Sequence, residues 1–214
     1  MPKVEKRSSR RSERKTTGWG AVARRATEVK ERQEEAENKI REFWLKSGET
    51  ANVQFLQDEP YCFYAHQVKD KNGRWHVVPC QLNTQDSCTL CQQGVKQTWK
   101  AAFKILDLRG KWDKDKKKFV GGEPNEKLWL VGTTVAQQIK QFIERKGKDL
   151  TEMVIEVSRS GEGKDSTYNF GIALDDDDRK IKPLDWESET PDAEELCQPP
   201  TDDEIDEQDY DAED

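Results

Sequence analysis

The sequence has no apolar run of the roughly 18 residues that a membrane-crossing helix needs, so no helical span is expected. It has only two histidines, His66 and His76, which leaves little material for Ser-His-Asp or Cys-His catalysis. A phosphate-binding loop is missing. The stretch RSGEGKDST at 159–167 contains a Gly-Lys pair at the wrong spacing and reads as a hairpin turn. The DDDD run at 175–178 lacks the partner ligands of a divalent-metal site and reads as a solvated acidic turn. No enzymatic activity is therefore expected. The first residues are charged and lack the apolar centre of a secretion signal, so a cytoplasmic location is expected. In such a reducing compartment the five cysteines point to metal binding or burial before disulfides.

Apolar residues are also scarce, at 33% against 37% charged, so part of the chain is expected to lack a core. The charge is segregated. Residues Asp185–Asp214 hold fifteen of the 43 acids and none of the 36 bases, which makes this tail −15 and residues 1–184 +8. The first fifteen residues carry seven bases and two acids. This organisation predicts a basic disordered arm at 1–20, a weak helix or linker at 21–41, a folded core at 42–184 and a disordered acidic tail at 185–214. A basic body with an acidic tail suits a polyanion-binding protein whose tail can lie in the body's basic groove until displaced.

Short strands dominate the core. FWLKSGETANVQFL reads as two strands around Ser47–Gly48, and YCFYAHQVKDKNGRWHVVPC as a hairpin turning at Asn72–Gly73. TWKAAFKILDLRG and LWLV read as strands, and TEMVIEVSRSGEGKDSTYNFGIAL as a second hairpin. One helix is expected from Thr133 or Thr134 to about Lys146, stopped by Gly147. This pattern predicts a mainly β, α+β fold: an OB-fold-like five-stranded Greek-key barrel with a small zinc subdomain at about 62–97.

Cys80, Cys88 and Cys91 fall within twelve residues, the last two as C-T-L-C. Two thiolates at that spacing grip one tetrahedral metal from a tight turn. His66 completes a Cys3His set with thirteen, seven and two intervening residues. His76 and Cys62 are alternative fourth ligands, whereas Cys197 lies in the acidic tail. One structural Zn2+ is expected, since four protein ligands leave no open position.

Seven tryptophans are many for 214 residues, and bases lie close to them. Aromatic faces stack on any base while Lys and Arg track phosphates, the combination that single-strand binders use. On that ground Lys46, Tyr64, Lys69, Arg74 and Trp75 are candidate nucleic-acid contacts. Lys100, Lys104, Arg109, Lys111 and Trp112 join them from the next strand and loop. Alternation puts Trp99, Ala101, Phe103 and Ile105 on one strand face and Lys100, Ala102, Lys104 and Leu106 on the other.

The layout resembles the zinc-containing single-stranded DNA-binding proteins of tailed phages. The likeness rests on the Lys6-Arg7-Ser8-Ser9-Arg10 arm, the FWLKSGE segment, the His66/Cys80/Cys88/Cys91 order and the acidic terminus. It implies an OB-fold core with an inserted zinc subdomain and these four residues as its ligands. It also implies that the arm, here with Arg11 added to Lys6, Arg7 and Arg10, mediates cooperative self-association on single-stranded DNA. The tail, with Asp202, Asp203, Glu204, Asp206 and Glu207, would contact replication and recombination proteins. The location would be the host cell cytoplasm, and the role coating and protection of single strands in replication, recombination and repair. The competing expectation is a zinc-ribbon transcription or replication adaptor that acts through the acidic tail.

Overall fold

A computed structural model describes residues 40–110, 112–113, 115, 118–119, 121–175, 177–188, 190–208 and 210, with Val22 and Thr27. The chain divides into Met1–Lys39 and Ile40–Asp214. In the first unit Val22 and Thr27 are helical. The arm residues Lys6, Arg7, Arg10 and Arg11, and most of the predicted 21–41 helix, lie outside the described residues.

The second unit is mainly β. Its strands are β1 (Arg41–Glu42), β2 (Thr50–Phe55), β3 (Tyr61–Lys69), β4 (Trp75–Pro79), β5 (Gln97–Asp107), β6 (Trp112–Asp113), β7 (Lys118–Phe119), β8 (Asn125–Val131), β9 (Val154–Ser160) and β10 (Thr167–Ile172). The helices are α1 (Thr89–Gln92), α2 (Thr133–Lys146), α3 (Ala193–Leu196) and α4 (Asp202–Gln208). Strands β6 and β7 pair only with each other, and the other eight form one sheet. Its main path runs β1-β8-β5-β2-β9-β10, with β3 on β5 and β4 on β3. The sheet is mixed, because β1 and β8 are parallel and the other pairs antiparallel. The mainly β class is as predicted, but the sheet has eight strands where five were expected. The path ends at β1 and β10 without their pairing, so the sheet is open. The eleven-residue β5 is the hub: β3 pairs with its first half, β2 with its second half, and β8 runs along the opposite edge.

Of the two strands predicted around Ser47–Gly48, the second forms as β2, and the first is displaced to β1 just upstream. Phe43 and Leu45 are buried, but only Arg41–Glu42 joins the sheet, and Gly48 turns the chain with φ of 80°. The β3–β4 hairpin forms with a five-residue loop in place of a two-residue turn. Asp70 Oδ1 accepts from Asn72 N at 2.8 Å and Arg74 N at 2.9 Å, while Gly73 takes φ of 74°. Helix α2 ends where predicted, with Gly147 left-handed at φ 61° and its N–H on Ile143 O. It begins after Gly132, not at a threonine cap.

Strand β5 is buried on both faces from Ala101 onward, because each face has its own cover. On one side Ala101, Phe103 and Ile105 pack with Trp129, Ile155 and Val157 under Ile139 and Phe142 of α2. Each such side chain contributes about 1.5–3 kcal/mol on leaving water. On the other side Phe63, Ala65, Ala102 and Leu128 pack against Ala193 and Cys197. That cover is the acidic tail.

The expectation of an extended, disordered tail over 185–214 is therefore corrected for its described residues. Apolar residues spaced among the carboxylates give it points of attachment. Ala193, Cys197 and Ile205 are buried. Asp192 caps α3 by accepting from Glu195 N at 2.8 Å. Acidic first turns, Glu194–Glu195 in α3 and Asp202–Glu204 in α4, favour both helix N-termini. Upstream, Gln54 and Leu184 exchange two hydrogen bonds of 2.9 and 2.8 Å.

Candidate metal centre and nucleic-acid interface

The cysteine–histidine cluster assembles from three pieces of chain. His66 lies on β3, Cys80 follows β4 and opens a 3-10 turn, and Cys88 and Cys91 bracket the start and middle of α1. Cys80 N donates to Tyr64 O at 2.8 Å, which carries the turn back over β3. The C-T-L-C turn closes on itself through Gln92 N to Cys88 O and Gly94 N to Cys91 O. The four donor atoms lie within 4.8 Å of one another, so the cluster can hold a metal ion. His66 Nε2 is 3.5 Å from Cys88 Sγ and 3.6 Å from Cys91 Sγ, and Cys80 Sγ is 3.7 Å from Cys91 Sγ.

The electrostatics suit a cation. Burial lowers the His66 pKa, partly offset by backbone hydrogen bonds at Lys96 and Val95, and so favours the neutral, ligating imidazole. Burial and the neighbouring thiols push Cys91 up to about 11. Burial also opposes ionisation of Cys88, but backbone hydrogen bonds at Cys91 and Gln81 prevail and lower its pKa. Gln97, the register partner of His66, was not anticipated. Its Nε2 amide donates to Cys80 Sγ at 3.0 Å and Cys91 Sγ at 3.2 Å, a set of contacts that stabilises negative sulfur. No local spacing marks a glutamine for this role. The alternative ligands sit elsewhere: His76 Nε2 lies 3.2 Å from Asp70 Oδ2, and Cys62 is exposed near Pro60 O. Cys197 is buried under α3.

The ten candidate nucleic-acid residues separate into groups. Tyr64 and Trp75 are exposed, as is Trp44, which is not among the ten. Lys46 Nζ lies over the Trp44 ring at 6.0 Å, and Lys69 Nζ over the Trp75 ring at 4.8 Å. Arg74 is exposed in the β3–β4 loop. Strand register sets Tyr64 beside Trp99 on one face of the β3 ladder, and Trp75 beside Lys69 on the other. Lys111 lies outside the described residues, and Trp112 is described only as part of β6.

Two candidates are corrected outright. Lys104 is buried, 3.3 Å from Glu126 Oε2, and it also donates to the Ser188 hydroxyl and Thr190 O. Arg109 forks onto buried Asp107, with Nη2 at 2.8 Å from Oδ2 and Nε at 3.0 Å from Oδ1. Lys127 reaches the same carboxylate at 2.6 Å, and Arg109 stacks over Phe43 at 5.2 Å. Burial opposes the Asp107 charge, but these two cations hold its pKa below the ordinary value. The carboxylate that claims Lys104 is distant in sequence, whereas the one that claims Arg109 stands two residues before it. Lys100 is intermediate: it is half-buried, and burial lowers its pKa while the charge of Glu42 partly restores it.

Of the tail residues, Asp202 is engaged. Its Oδ1 accepts from Gln81 Nε2 at 2.8 Å and Thr89 Oγ1 at 2.6 Å. Glu204 accepts from Thr201 N at 2.7 Å, and Asp203 is exposed. Asp206 and Glu207 lie in α4. Among the described residues no helix is long and apolar enough to cross a membrane. Neither a protein-family model nor a curated protein matches the chain.

Proposed function

We propose that the protein binds single-stranded DNA without sequence preference and carries one structural zinc ion in the His66/Cys80/Cys88/Cys91 knuckle. The observation that carries the binding reading is the pair of exposed indoles, Trp44 and Trp75, each with a lysine ammonium over its ring. Each pair offers a flat face for a base and a cation for its phosphate. Stacking of this kind contributes about 1–3 kcal/mol per base and tolerates any sequence. Duplex hides the base faces, so binding draws the melting equilibrium toward single strands. An OB-like use of the sheet goes with this reading, since such folds are partly open barrels that bind oligonucleotides.

The distances support zinc. A tetrahedron with metal–sulfur bonds of about 2.3 Å and metal–nitrogen bonds of about 2.0–2.1 Å has S···S edges near 3.8 Å and S···N edges near 3.5 Å. The observed 3.7 Å sulfur–sulfur separation and the 3.5 and 3.6 Å sulfur–nitrogen separations sit at those values. Bound there, zinc supplies a cross-link and no chemistry, because four protein donors fill its coordination. The chain's own residues hold the site together: Gln97 hydrogen-bonds the sulfurs, and the β3–β4 hairpin fixes His66.

In this reading the tail occupies the outer face of β3, β5 and β8 in cis, over Lys100 and Lys104, and the arm supports cooperative association along the strand. The partners are single-stranded DNA and, through the tail, proteins of replication, recombination and repair. The test is a labelled dT oligomer against duplex, followed by tryptophan quenching at two salt concentrations. Preference for the oligomer, quenching and a steep loss of affinity with salt are expected. Equal affinity for both ligands overturns the proposal. Failure to bind the oligomer together with one defined protein partner would indicate the zinc-ribbon adaptor instead.

A further inference from the structure

We infer that the metal knuckle is the receptor for residues 199–205 of the chain's own tail, so that loss of the metal frees this segment while the rest of the tail stays docked. The inference rests on the metal reading above.

The receptor is built from the residues next to the ligands. Gln81 follows Cys80, and Thr89 follows Cys88. The Gln81 side chain works at both ends. Its Oε1 accepts from Thr89 N at 2.8 Å, joining the two cysteine-bearing turns. Its Nε2 donates to Asp202 Oδ1 at 2.8 Å and to Pro200 O at 3.2 Å. Thr89 Oγ1 adds a second donor to the same Asp202 oxygen at 2.6 Å. Beneath these contacts Ile205 is buried in one cluster with Val68, Val78, Cys80, Cys88 and Leu90. The segment is thus held by one carboxylate and one carbonyl read by the knuckle, and by one aliphatic side chain seated between the knuckle and Val68 and Val78 of the β3–β4 hairpin.

Between Cys80 and Gln97 the regular structure is one 3-10 turn and the four residues of α1. Few apolar residues lie there, so the four ligands are the principal cross-links of this stretch. Removing the metal leaves three thiols and an imidazole joined only by weak hydrogen bonds to one another and to Gln97, so the relative placement of Gln81 and Thr89 loosens. Helix α3 has a different footing. Ala193 and Cys197 rest on Phe63, Ala65, Ala102 and Leu128, all on the sheet. Metal loss therefore divides the tail at about residue 198. The downstream part, with Asp202 and its neighbouring carboxylates, is released; the upstream strap remains.

Linkage makes the effect reciprocal. If metal strengthens docking by a given factor, docking strengthens metal binding by the same factor, typically about 5- to 150-fold.

Hydrogen exchange of the full chain, zinc-loaded and chelated, reads both halves at once. Residues 199–208 are expected to lose protection on chelation, while 192–197 and strands β5 and β8 keep theirs. Unchanged protection of 199–208, or equal loss across 192–197 and the sheet, overturns the inference. The double variant Asp202→Ala, Ile205→Ser keeps every ligand. It should bind one zinc, lose protection at 199–208 and yield its zinc to a chelator at about 5- to 150-fold lower chelator activity. Unchanged protection and zinc retention in that variant also overturn it. A chain with no affinity for zinc refutes the metal reading itself, whereas full zinc binding with an indifferent tail refutes this inference alone.

Discussion

Replacing Lys104 with methionine tests whether this lysine is a buried structural cation or a nucleic-acid contact. Its side chain is 6% exposed and that of Glu126 is 8%, with 3.3 Å between the charges. Glu126 also accepts from Trp186 Nε1 at 2.7 Å, from the Ser188 hydroxyl at 2.9 Å and from Thr190 Oγ1. Methionine matches the four-atom stem of lysine but leaves the carboxylate without its cation, and removing one partner of a buried pair costs roughly 3–5 kcal/mol. Burial opposes the Glu126 charge, yet hydrogen bonds from Thr190, Trp186, Ser188 and Lys104 hold its pKa near 2 instead of 4.5. That displacement corresponds to about 3 kcal/mol for the four hydrogen bonds together, of which the Lys104 contribution is the smallest. Because the folded value is depressed, this stability is full above pH 4.5 and is lost as pH falls through about 2. Urea unfolding of Lys104→Met at pH 7 should therefore show a loss of about 3–5 kcal/mol. The loss should shrink toward pH 3, where an unpartnered Glu126 takes up a proton, and Lys104→Met with Glu126→Gln should cost less than the two singles combined. A loss under about 1 kcal/mol at pH 7, the range of exposed pairs, would refute the assignment.

Metal analysis should give one zinc per chain. His66→Ala and Cys88→Ser are expected to abolish it, and Cys62→Ser, His76→Ala and Cys197→Ser to leave it in place. Gln97→Leu should preserve that stoichiometry while weakening zinc binding about 10- to 100-fold in a competitive chelator titration. Deleting 185–214 uncovers Phe63, Ala65 and Leu128, so light scattering and thermal melts should report lower stability and association of the truncated chain. Neutralising Asp206 and Glu207, beyond the first turn of α4, leaves the apolar cover and the α4 N-terminus in place and should raise affinity for oligo-dT without lowering the melting temperature.

The metal site was legible because its spacing is local. A C-T-L-C turn needs only a tight knuckle, and His66 and Cys80 sit near the two ends of one hairpin. The β5 parity and the Gly147 stop were legible for the same reason, as each depends on a few adjacent residues. The open sheet was not, since whether a path closes depends on β1 and β10, which lie far apart in sequence. Lys104 was misread because its partners, Glu126, Ser188 and Thr190, are set by sheet register and by a returning tail, whereas the partner of Arg109, Asp107, lies only two residues away and its burial, not its position, was hidden. The tail itself was misread through its charge count, because Ala193, Cys197 and Ile205 recur too sparsely to form a hydrophobic pattern.

The cover over β3, β5 and β8 gives the molecule a built-in gauge. Burial and the nearby charge of Glu42 push the Cys197 thiol up to about 12, whereas Cys62 stands exposed on the surface. An alkylating reagent can reach Cys197 only during moments when α3 lifts. The ratio of its labelling rate to that of Cys62 is thus a direct reading, in the unmodified chain, of how often the strap opens and of how much a bound strand or a docked partner changes that frequency.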